Sequence, residues 1–115
     1  MSESLSQHQR RFTKMVGILI DWIYANGYEA VLGECQRTQA QADANAASGA
    51  GISNSLHILC LAIDIALFKD GKYLTETVDY TPVGEFWESI GGSWGGRFVS
   101  RPDGDHFSLE WKGVR

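Results

Sequence analysis

Residues 56–68 read Leu56-His57-Ile58-Leu59-Cys60-Leu61-Ala62-Ile63-Asp64-Ile65-Ala66-Leu67-Phe68, and this run decides the fold. It is strongly apolar and broken by two ionisable groups only, His57 and Asp64. Its second half, Ala62 to Phe68, reads as a buried strand. Asp70-Gly71 follows as a hairpin turn into Lys72-Tyr73-Leu74. A strand this apolar needs cover, and the flanking sequence supplies amphipathic helices.

Upstream, residues 5–26 predict one helix. Leu5, Phe12, Met15, Val16, Leu19, Ile20 and Ile23 recur at three- and four-residue spacing and so share a face. Ser6 with Gln9 suggests a capping box, and Asn26-Gly27 a stop. Tyr28 to Cys35 predicts a strand, Thr38 to Ala47 a short helix, and the small polar residues 48–55 a loop. Downstream, Pro82 to Ile90 predicts a helix and Phe107 to Trp111 a strand of period two. The four glycines at 91, 92, 95 and 96 allow a bend around Trp94, with Arg97 near a cleft. Trp22, Trp87 and Trp111 read as core, and His8 as solvated. The expected fold is α+β: a single compact domain, 1–115, with a small antiparallel sheet flanked by helices.

Composition narrows the function. The chain has 115 residues with 43% hydrophobic and 21% charged side chains, the profile of one ordinary globular domain. A net charge of −4 argues against nucleic acid as a partner. Met15 to Ala25, interrupted by Asp21, is well short of the ~20 apolar residues that a membrane span requires. No stable membrane insertion is expected, and residues 1–4 lack the pattern of an export signal. Two cysteines exclude a four-cysteine zinc site.

The two ionisable groups in the apolar run are the informative anomaly. An unpaired buried carboxylate costs several kcal/mol, and no Lys or Arg lies between Arg37 and Lys69 to compensate Asp64. A metal ion would do so, with a third ligand from Asp103-Gly104-Asp105-His106. His57, Asp64 and His106 would then form a two-imidazole, one-carboxylate set of the kind that holds catalytic zinc. A core histidine with a capping aspartate is the alternative. Cys35 and Cys60 sit in apolar surroundings that argue against a thiol nucleophile.

Four segments, in order, resemble the zinc D-alanyl-D-alanine carboxypeptidase family, which includes phage L-alanyl-D-glutamate endolysins. Ser55 to Asp64 is similar to its Ser-x-His-x-x-Gly-x-Ala-x-Asp motif, with Cys60 standing at the Gly. Asp103 to Phe107 resembles the second ligand motif, Glu34 to Thr38 the Glu-x-x-Arg-[Ser/Thr] segment, and Trp94 to Phe98 the endolysin Trp-Gly-Gly-Arg stretch. Gln41 lies four positions after Arg37, where many relatives have a Gln at five. The resemblance implies the family's peptidase fold, shared with Hedgehog-type domains.

It further implies Zn2+ on His57, Asp64 and His106, Asp103 as catalytic acid/base with Asp105 as its rival, and Arg37 as substrate arginine. Ser55 either contacts substrate or caps its loop; Arg37 as a surface charge is the plainer reading of that residue. The implied activity is zinc-dependent cleavage of an amide in the peptidoglycan stem peptide, as an L-alanyl-D-glutamate endopeptidase. Alternatives are a D-alanyl-D-alanine carboxypeptidase or dipeptidase, and a non-catalytic metal-binding module that recognises cell wall on a phage particle. The expected protein is a monomer without a separate wall-binding domain. It is made in the host cytoplasm without a signal peptide and acts on the wall after release.

Overall fold

The apolar run does form the central strand. In the computed structural model, which describes residues 3–47 and 55–115, β2 spans Ala62–Lys69. Ile63, Ile65 and Leu67 point into the core, and Asp64, Ala66 and Phe68 take the other face, as the two-residue period of a strand requires. Asp64 therefore lies on the sheet's open face, a correction to the reading of this strand as buried throughout.

Around β2 the sheet is antiparallel, in the order β1-β2-β5-β4, with β3 also paired to β2. β1 is Glu29–Leu32, β3 Lys72–Tyr73, β4 Ser93–Trp94 and β5 His106–Ser108. Two strands are shorter than the sequence predicts. β1 loses regular pairing after Leu32, where Gly33 donates to the Asp64 carbonyl at 2.7 Å and Asp64 in turn donates to the Glu34 carbonyl at 2.9 Å. β5 ends at Ser108, and Trp111 instead bridges to Val114 across a turn. Residues 56–59 form a 3-10 turn rather than an extension of β2.

Helix α1 (Leu5–Ala25) lays Phe12, Met15, Leu19 and Ile23 on the core, the face that the spacing predicts. Its capping box is Ser4 with Gln7, not Ser6 with Gln9: the Ser4 hydroxyl accepts from the Gln7 amide at 3.1 Å, and the Gln7 side chain accepts from the Ser4 amide at 2.8 Å. Gln9 reaches elsewhere, donating to the Leu59 carbonyl at 2.7 Å. Helix α2 is Gln39–Ala47 and α3 is Thr81–Ser89. Apart from Ser55, the loop expected at 48–55 lies outside the described residues. Trp87 of α3 is fully buried, edge-on to Phe12 and Phe107, and its indole N–H donates to the Ser93 and Ser108 carbonyls. Burying each such side chain contributes ~1.5–3 kcal/mol. Among the described residues, no helix is long and apolar enough to cross a membrane.

His8 is not solvated. It is buried against the Trp111 ring, with Nδ1 2.6 Å from a Glu3 carboxylate oxygen and Nε2 2.7 Å from the Glu110 carbonyl. Arg11 also donates to Glu3, at 2.9 and 3.0 Å. Helical periodicity places position 8 at the edge of the apolar face, but the segment that covers it comes from the far end of the chain.

The Arg11 guanidinium, with His8 second, holds the Glu3 carboxyl down at about 2, against an ordinary 4.5. A carboxyl whose folded-state value is depressed stabilises the fold above its unfolded value, and that contribution fades as pH falls from 4.5 towards 2. The melting-temperature gap between the parent and Glu3→Gln should accordingly be open at pH 6 and close by about pH 2. A gap unchanged across that range would mean that the clasp contributes no charge-dependent stability.

Candidate metal centre and its cleft

One strand pairing places Asp64 and His106, and a capped turn places His57. Asp64 on β2 stands directly opposite His106 on β5, in the register that also sets Ile63 against Phe107 and Ala62 against Ser108. His57 sits in the 3-10 turn, which Ser55 caps by accepting from the His57 amide at 3.2 Å. The His57 carbonyl accepts from the amides of Arg37 at 3.0 Å and Cys60 at 3.3 Å. Its Nδ1 lies 3.1 Å from the Cys35 carbonyl, which can only accept, so Nδ1 carries a proton and Nε2 is the ring atom turned towards Asp64.

The turn that ends in His106 is held from below. Asp103 donates its amide to the Gly95 carbonyl at 2.9 Å, the Trp94 indole donates to the Gly104 carbonyl at 2.8 Å, and the His106 amide donates to the Asp103 carbonyl at 3.2 Å. The glycine-rich segment thus shapes this turn. Gly96 packs against the Trp94 ring, so it does allow the expected close bend.

One ligand atom from each of His57, Asp64 and His106 falls within 4.8 Å of the others. Asp64 Oδ1 is 3.4 Å from His57 Nε2 and 3.9 Å from His106 Nδ1. Two buried atoms in this group, Asp64 Oδ1 and His106 Nε2, have no hydrogen-bond partner among the described residues. An unsatisfied buried polar atom costs about 1–3 kcal/mol, so each of the two calls for an external partner. A divalent cation satisfies all three groups, and the donor set fits one.

The electrostatics agree. Burial, with the neighbouring His57 charge second, pushes His106 down to about 4, leaving its imidazole neutral at physiological pH. Burial also works against a charged His57, but the Asp64 carboxylate beside it outweighs that and raises its pKa overall. Partial desolvation, the Asp105 carboxyl alongside it and the Asp64 charge push Asp103 up to about 7. Asp64, Asp103 and Asp105 bring their oxygens within 4.8 Å of one another, so the group cannot hold three free negative charges at low cost.

These residues line a cleft of about 600 Å³. Arg37, Ser55 and Asp103 all reach it. Arg37 is no surface charge: its guanidinium is mostly covered and bonds Glu34, with Nε donating at 2.6 Å. Ser55 is buried as the cap of the His57 turn and still lines the cleft, so its two readings coexist. Arg97 does not line the cleft; it turns outward to Glu88 at 3.0 Å and leans over the Trp94 ring.

Phe98, which packs on His106 at 5.2 Å between ring centres, lines the cleft as well, as do Arg101 and Arg115. The sequence reading missed all three. Phe98 lay within reach, next to Arg97 in the quoted stretch, whereas nothing in the pattern marks residues 101 and 115.

Comparison with known proteins is consistent with this geometry. The sequence profile of the D-alanyl-D-alanine carboxypeptidase family matches residues 48–109. The L-alanyl-D-glutamate peptidase of Listeria phage A118 is 32% identical over 100 residues, which are 83% of this chain and 35% of that protein. The chain therefore spans about a third of the length of that relative. In fold, it superposes on the L-Ala D-Glu endopeptidase ChiX of Serratia marcescens with a TM-score of 0.74 at 16% identity, covering 96% of this chain and 89% of that one. It also resembles the vancomycin-resistance D,D-pentapeptidase VanY of a VanB-type cassette, solved with Zn(II). There the TM-score is 0.61 at 19% identity, over 86% of this chain and 70% of that one.

Gly95 is the tightest point beneath the site: a Cβ there would lie 2.3 Å from the Asp103 carbonyl oxygen and 2.7 Å from the His106 Cβ. Gly95→Ala must push the ligand turn away from β4, at a cost of about 1–3 kcal/mol. It should lower the melting temperature and weaken retention of added divalent metal together, measured by thermal unfolding and metal analysis after dialysis. Retention equal to the parent's would detach Gly95 from the site.

Proposed function

The chain belongs to the D-alanyl-D-alanine carboxypeptidase family, and on that premise we propose that it is a zinc-dependent peptidoglycan peptidase cleaving the L-alanyl-D-glutamate bond of the stem peptide. The observation that carries this reading is the convergence of His57, Asp64 and His106 beneath Asp103, with two of their buried atoms unpartnered. The bond is suggested by the phage relative, itself an L-alanyl-D-glutamate peptidase. His57, Asp64 and His106 hold the zinc ion. Bound there, zinc supplies a Lewis acid for amide hydrolysis and makes hydroxide accessible near neutral pH.

The chain's own residues do the rest. The Cys35 carbonyl fixes the His57 tautomer and ring direction. Asp103, which lines the cleft beside these groups, takes a proton from the attacking water and returns it to the leaving amine. Arg37 pairs with the free α-carboxylate of the D-glutamyl residue, which adjoins the scissile amide, and Glu34 holds the guanidinium in place. Ser55 keeps the His57 turn closed and offers its hydroxyl proton to the cleft. The reaction takes place at the cell wall, on the stem peptide.

Purified murein digested with and without chelator, then read by mass spectrometry, tests the activity. New termini on L-alanine that disappear with chelator are expected; released D-alanine would reassign the bond, and an absence of products would overturn the reading.

Asp103→Asn tests the acid/base. It should keep zinc and fold while losing about 10²–10⁴-fold in rate, because an amide cannot accept the proton. Asp105→Asn should lose far less. The reverse ranking would move the role to Asp105. Arg37→Lys should cost about 10-fold or more with zinc content unchanged, since a point charge cannot reproduce the guanidinium fork; full activity would remove Arg37 from substrate binding.

A further inference from the structure

The two cysteines lie outside the proposed chemistry yet close to its foundations. Cys35 follows β1 by three residues, and its carbonyl orients His57. Cys60 closes the 3-10 turn that carries His57. Both are free thiols, neither side chain is sealed from solvent, and each belongs to a segment that bonds His57.

The backbone beneath them is already drawn together. The amides of Arg37 and Cys60 converge on the one His57 carbonyl, at 3.0 and 3.3 Å, while the Cys35 carbonyl meets His57 Nδ1 at 3.1 Å. Cys60 also sits at φ 54°, ψ 39°, a left-handed conformation that favours glycine and strains a residue with a Cβ. The chain therefore places a thiol at a position where local preference favours glycine, on the turn against which the Cys35 segment is bonded.

We propose that Cys35 and Cys60 form a reversible disulfide that ties the segment after β1 to the His57 turn and locks the shelf on which the cleft rests. The oxidant is a small-molecule disulfide. One protein thiolate attacks it, releasing one small thiol and leaving a mixed disulfide. The second protein thiol then displaces the other small thiol. In sum, two protein S–H bonds become one S–S bond, and the small disulfide's S–S bond becomes two S–H bonds. The cross-link closes a loop of ~25 residues containing α2, which restricts the unfolded chain substantially. The inference is independent of the proposed activity.

Oxidised glutathione added to the purified full chain tests it, read by thiol titration, intact mass and thermal unfolding. The expected result is loss of both thiols with no glutathione retained, a monomer on a non-reducing gel, and a melting temperature higher by on the order of 10 °C. Added reductant should reverse all three changes. Cys60→Gly removes one thiol while relaxing the left-handed strain, so it should fold, retain one glutathione and show no such rise. Two retained glutathiones, a cross-link between chains, a disulfide that forms only in denaturant, or a cross-link without a rise in melting temperature would each overturn the proposal.

Discussion

The pairing of β2 with β5 is the constraint on which the site depends. Because side chains alternate across a strand, the register that sets Asp64 opposite His106 also sends Ile63, Ile65 and Phe107 into the core. A slip of one residue would bury the carboxylate and expose the isoleucines. Hydrophobic burial on one face therefore fixes metal-ligand geometry on the other, and no separate device is needed to aim those two side chains. The same sheet brings in the third group, because the segment after β1 bonds both to Asp64 and to the His57 turn.

His57 needs more support because it stands on irregular backbone. Its 3-10 turn makes few bonds of its own and borrows the remainder: a cap from Ser55, an anchor from Gln9 of α1 at Leu59, and contacts with residues 35–37. A ring buried in this way with Nδ1 engaged turns its other nitrogen, Nε2, to Asp64 at 3.4 Å. The imidazole of His106, held neutral by burial, contributes another. The arrangement presents electron pairs inward from three sides, which is costly for a protein alone and favourable around a cation.

Much of this was legible in the sequence because it follows from alternation and spacing. The face of α1, the central strand, the Asp70-Gly71 hairpin and α3 all come from local patterns, and so does the suspicion raised by charges inside an apolar run. Asp64 attracted notice as a carboxylate in the core, whereas strand alternation puts it on the cleft face; the anomaly was real but its location was not. What pattern reading missed depends on contacts distant in sequence. His8 is buried by Glu110 and Trp111, and the neighbour that fixes the His57 ring is a backbone carbonyl, for which any residue at position 35 would serve. Arg97 was expected at the cleft because it follows the glycines, but α3 presents Glu88 to it first.

The glycine-rich segment shows how stability and site geometry are coupled. Trp94 is buried, and its indole N–H reaches the carbonyl of Gly104, so a core side chain holds the middle of the turn that bears Asp103 and His106. Gly95 lets the backbone of that turn descend to the level of β4, and Gly84 lets α3 close on the other side of the same ring. A larger residue at Gly95 would press on the Asp103 carbonyl and the His106 Cβ, and one at Gly84 on the Trp94 ring that holds the turn. Strain introduced in a close-packed region is passed on rather than absorbed. The turn is consequently fixed by the core beneath it, which sets the Asp103 carboxyl beside the buried His106.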